Sequence, residues 1–136
     1  MSSDSPGAVA DKALYFALEY ARAQPLTVAQ RQPMEKYINT ALQQQANPDS
    51  LRVVYEKIQS ASLVLRAVEW TVLVDNTAGP KPAPAFEDLL EGIRRTTESF
   101  GAISETDTDW DELSIVATVA RAADVLGRAL SQESPQ

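Results

Sequence analysis

The longest uninterrupted helical pattern in the chain lies in its middle, and it dictates what the rest can become. Val54, Ile58, Ala61, Leu65, Val68 and Val72 recur at intervals of three and four residues, the spacing of one face of an α-helix. The residues Asn47-Pro48-Asp49-Ser50 precede this stripe. Asn47 reads as an N-cap, Pro48 as the first helical residue, and Asp49 as a charge favoured by the helix dipole. A helix is therefore expected over 48–74, closed by the Gly- and Pro-rich segment 75–84, which reads as a surface crossover. A helix this long buries its stripe only if other elements pack around it.

Those elements read as helices too. Residues 10–23 set Ala10, Ala13, Leu14, Ala17, Leu18 and Ala21 on one face before Pro25 ends the run. Met34, Tyr37, Ile38, Ala41 and Leu42 mark a second helix, expected over 33–46. Its start has two readings: Thr27 caps it early and leaves Pro33 inside, or Pro33 opens it afresh. A fourth helix over 84–100 carries Phe86, Leu89, Leu90, Ile93 and Phe100, with Glu91 and Arg95 placed to pair and Gly101 as its C-cap. A fifth over 109–131 buries Leu113, Val116, Val119, Ala120, Ala123, Leu126, Gly127 and Leu130. The expected fold is thus all-α: a single-domain bundle of about five helices spanning 8–131, between flexible ends at 1–7 and 132–136.

Composition narrows the chemistry. The chain has no Cys and no His. Disulfides, thiolate or imidazole zinc sites, Ser-His-Asp triads and the usual general base near neutral pH are excluded. No phosphate-cradling glycine motif is present, so no catalytic residue, metal ligand or cofactor is assigned. The net charge of −7 argues against direct nucleic-acid binding. No apolar run is long enough for a membrane span and no secretory signal is visible, so a cytoplasmic location is the expectation.

Two stretches stand out. The first is "SETDTDWDELS", residues 104–114, with Glu105, Asp107, Asp109, Asp111 and Glu112. Its alternating Asp residues resemble the start of a calcium loop, but the positions that need Gly and a closing Glu hold Glu112 and Thr118. The better reading is a helix N-terminus capped by Asp107, Thr108 or Asp109, with Glu112 completing a capping box if Asp109 is the cap. Glu105, Asp107, Asp109 and Asp111 remain a candidate acidic surface.

The second stretch is the far side of the long helix. Its first half is polar, through Arg52, Glu56, Gln59 and Arg66, but Leu63, Ala67, Trp70 and Val74 follow with Leu73 beside them. In a five-helix bundle this helix would be central and Trp70 would be core. The alternative makes Leu63, Trp70, Leu73 and Val74 an interface for another protein or for a homodimer. Arg66 and Glu69 are expected to bridge at the surface.

The functional expectation is a non-catalytic protein–protein interaction module, an adaptor, regulatory subunit or assembly factor. The alternative is an acidic immunity-protein, antitoxin or nucleic-acid-mimic role that neutralises a basic partner. A carboxylate-only enzyme or metal-binding protein ranks third.

Overall fold

The computed structural model describes residues 5–75, 85–101 and 114–133. Among these residues five helices form, in order: α1 Pro6–Ala23, α2 Val28–Leu42, α3 Leu51–Asp75, α4 Glu87–Ser99 and α5 Ile115–Glu133. The fold is the expected all-helical bundle. Helix α3 packs against α1, α2 and α5, while α4 closes the far side by touching both α1 and α5. Helices α1, α3, α5 and α4 thus form a ring, and α2 lies outside it across α1 and α3.

The ring encloses one apolar core. All six residues of the α3 stripe, from Val54 to Val72, are buried, and they meet Leu14, Ala17 and Ala21 of α1 and Val119 and Leu126 of α5 in the same cluster. Leu89 and Ile93 of α4 are buried there too, with Phe86, Leu90 and Phe100 packed at its edge. Phe16 of α1 stacks with Tyr20 and meets Phe86 edge-on at 6.3 Å, which ties α1 to the start of α4. On α5 the buried face is turned from the expected one: Val116, Val119, Ala123 and Leu126 are buried together with Ile115, Thr118, Ala122 and Val125, while Ala120, Gly127 and Leu130 are only half-buried and Leu113 lies outside the described residues. Gly127 lets α5 approach α3 closely, since a Cβ there would stand 3.0 Å from the Tyr55 ring and would require that ring to shift.

Helix starts differ from the sequence reading, and the reason is capping. Helix α1 begins at Pro6 rather than residue 10, because the Ser5 hydroxyl accepts the Ala8 N–H at 3.2 Å and proline takes the first position. Helix α3 begins at Leu51 rather than Pro48. Asn47 adopts a left-handed φ of 51°, residues 47–50 form a turn, and Ser50 caps the helix through Val53 N–H. Asp49 therefore serves a different helix: its Oδ1 accepts the Gly7 N–H at 2.8 Å, satisfying the first turn of α1. Gly7 is obligatory, because a Cβ would lie 2.6 Å from the Pro48 carbonyl oxygen. At its other end α3 runs to Asp75. Helix α4 starts at Glu87 rather than 84 and ends at Ser99, with Gly101 at φ 64° donating its N–H to the Glu98 carbonyl. Helix α5 begins at Ile115 rather than residue 109 and runs to Glu133, with the Ser114 hydroxyl accepting the Ala117 N–H at 3.1 Å in the capping role expected of Asp109.

For α2 the early start is the one adopted, so the range 33–46 is corrected to Val28–Leu42. Thr27 and Gln30 form a reciprocal capping box, which outweighs the cost of enclosing Pro33 in the helix. Only Ile38 of this helix is fully buried, with Met34, Ala41 and Leu42 at the margin of the core. Polar contacts fasten its first turn and its middle: Gln30 donates to Asp75 at 2.7 Å, and Glu35 accepts from Arg22 at 3.1 Å. Because Pro33 removes a backbone donor and crowds the Ala29 carbonyl, Pro33→Ala should stabilise the protein by about 1–2 kcal/mol. Urea unfolding at constant m-value measures this, and a loss of stability would show that packing of the proline ring against α3 dominates.

Candidate functional site

Leu63, Trp70, Leu73 and Val74 all face outward, at 46 %, 70 %, 60 % and 60 % exposure. The placement of Trp70 in the core is therefore overturned. The physical reason is α2: it lies to one side of α3 instead of over it, so α3 is buried by α1, α5 and α2 around three sides and open on the fourth. Helix geometry then puts Leu63, Ala67, Trp70 and Val74 opposite the buried stripe, along roughly 16 Å of helix.

The surface extends onto α2. Between α2 and α3 runs an open apolar trough of about 290 Å³, lined by Pro33, Met34, Tyr37, Leu63, Val64 and Ala67. Tyr37 is exposed at its rim. Periodicity assigned Met34 and Tyr37 to the buried face of α2; Met34 is half-buried against the core, Tyr37 is exposed, and both line the trough. On the other flank, Tyr55, Gln59, Ser62 and Arg66 of α3 face Ala120, Ala123 and Asp124 of α5 around a more polar hollow of about 300 Å³.

Charges are sparse along this face. Arg66 is exposed at its edge. Glu69 does not bridge to it as expected; among the described residues no ion pair joins the two. Glu69 lies instead within electrostatic reach of Tyr20, a buried residue of α1. Burial first, and then the charge of the Glu69 carboxylate, raise the Tyr20 pKa and hold the phenol protonated. On α5, Arg128 pairs with Asp124 at 3.0 Å, and on α4 Arg95 pairs with Glu91 at 3.0 Å, both at solvent-exposed positions.

One polar residue of consequence escaped the sequence reading. Lys57 is 3 % exposed and its ammonium lies 2.8 Å from Oδ1 of Asp11 on α1. The signal was present in its position, four residues after buried Val53 and four before buried Ala61. A lysine between two core positions needs a partner, and α1 supplies one.

Glu105, Asp107, Asp109 and Asp111, together with Trp110, Glu112 and the proposed capping box, lie outside the described residues. Among the described residues no group of three or more acidic side chains is arranged to hold a metal ion, and no helix is long and apolar enough to cross a membrane. Comparison with protein-family models, with curated proteins and with solved structures returns no match.

Proposed function

We propose that the protein is a non-catalytic interaction module, an adaptor, regulatory subunit or assembly factor, which docks another protein on the outer face of α3. The observation that carries this reading is the exposure of Leu63, Trp70, Leu73 and Val74 on a helix whose opposite face is completely buried. Folding needs only the buried stripe. A second apolar stripe contributes nothing to the monomer and favours association, so its free energy is recovered only against a partner. A protruding indole flanked by aliphatic side chains and a shallow trough has the make-up of a binding hot spot.

Trp70→Glu and Leu63→Glu should each abolish capture of the partner from cells of the native source while leaving helical content and melting behaviour close to those of the unmodified protein. A partner that both variants retain would sink the proposal. Loss of fold in the variants would show that these residues belong to the core after all.

A further inference from the structure

We infer that the occupant of this face is a second copy of the same chain, its α3 packed antiparallel to the first about a two-fold axis midway between Ala67 and Trp70. This rests on the docking role proposed above and names the partner. Leu63, Ala67, Trp70 and Val74, all exposed on the outer face of α3, are spaced by four, three and four, which is the a/d seam along which two helices supercoil. In an antiparallel pair each a position faces a d position. The axis between Ala67 and Trp70 sets Trp70 of each copy over Ala67 of the other, and Leu63 opposite Val74. Every layer then joins a larger side chain to a smaller one. A parallel pair would stack indole on indole in one layer and methyl on methyl in another, overfilling the first and leaving the second hollow.

Charge allows the contact despite a net −7 on each copy. Glu69 sits one residue, about 100° of helix turn, from Trp70 and so off the seam, and among the described residues of α3 only Arg66 stands at the seam's edge. In the antiparallel register Arg66 falls beside Leu73 of the second copy, where its aliphatic stem can cover the leucine and its guanidinium stays in water. Among the described residues of α3, no like charges are placed directly opposite one another. A two-fold contact also needs only one kind of surface, and this chain has it. The apolar side chains on offer amount to on the order of 500 Å² per copy, below the roughly 800 Å² of a standard interface. The dimer is therefore expected to be weak and concentration-dependent.

Sedimentation equilibrium from about 1 to 500 μM should show monomer passing to dimer, with Trp70→Ala weakening association at least tenfold at unchanged helical content. The native chain has no cysteine, so introduced thiols report geometry cleanly. The doubly substituted Leu63→Cys, Val74→Cys protein should be cross-linked between copies by a short bis-maleimide. Leu63→Cys alone should not, because its two thiols stand about 16 Å apart in the antiparallel pair. Efficient cross-linking of the single variant, or a dimer indifferent to Trp70→Ala, would overturn the antiparallel seam. Monomer at every concentration would overturn self-pairing altogether, whereas failure of the docking role itself is read separately, from partner capture by the Trp70→Glu variant.

Discussion

Leu65→Ala is expected to lower the unfolding free energy by about 3–4 kcal/mol, while Trp70→Ala, five residues along the same helix, is expected to change it by less than about 1 kcal/mol. The larger residue gives the smaller effect because only the smaller one is packed. Leu65 is fully buried in the cluster shared by α1, α3 and α5, so its truncation loses transfer free energy and leaves a cavity that close-packed neighbours fill only in part. Trp70 keeps most of its surface in water in the monomer, so truncation forfeits little. Against a total stability of about 5–15 kcal/mol, the first loss is severe and the second is within the ordinary range for surface sites. Equilibrium urea unfolding below the dimer range measures both. In a Trp110→Phe background the Trp70 fluorescence should also be that of a hydrated indole, shifting blue as concentration rises. A Trp70→Ala loss comparable to that of Leu65→Ala would mean the indole is packed in the monomer, and the docking face would go with it.

That contrast also shows what sequence patterning can and cannot reveal. The buried stripe of α3 was fully legible, because six positions at helical spacing admit one face and only one. The exposure of Trp70 was not. Patterning identifies apolar faces but not which neighbour covers each, and whether α2 lay over α3 or beside it depended on tertiary seating that Met34, Tyr37 and Ile38 do not encode. Helix starts were misplaced for a similar reason. Asn47 and Asp49 have the chemistry of caps for the helix that follows them, but Asp49 reaches across the chain to Gly7 instead, leaving the cap to Ser50. Such long-range hydrogen bonds leave no local trace. The α2 start was decidable in principle, since Thr27 and Gln30 carry the full capping-box pair ahead of the suspicious proline. The chemistry excluded by the missing Cys and His was legible from composition alone.

The buried ion pair between α1 and α3 leads to the second large effect. Asp11→Ala should destabilise the protein by about 2–3 kcal/mol, whereas Lys57→Met should leave stability within about 1 kcal/mol of the original or raise it. The asymmetry follows from which charge is buried. Lys57 is almost wholly enclosed, and taking an ammonium out of water costs several kcal/mol that the carboxylate 2.8 Å away offsets. Removing Asp11 withdraws the compensation and strands the charge. A fully enclosed pair would lose about 3–5 kcal/mol, but Asp11 is 41 % exposed, so water entering on that side softens the penalty. Methionine at 57 removes the charge and keeps the length and flexibility needed to fill the space, and Asp11 then reverts to a solvated surface carboxylate. The double substitution should accordingly recover most of what Asp11→Ala loses, and a thermodynamic cycle over the four proteins isolates the coupling. If Lys57→Met proved as damaging as Asp11→Ala, the pair would contribute net stability rather than restoring what the buried ammonium costs. The ion pair would then be a main fastening between α1 and α3, in place of the apolar stripe they share.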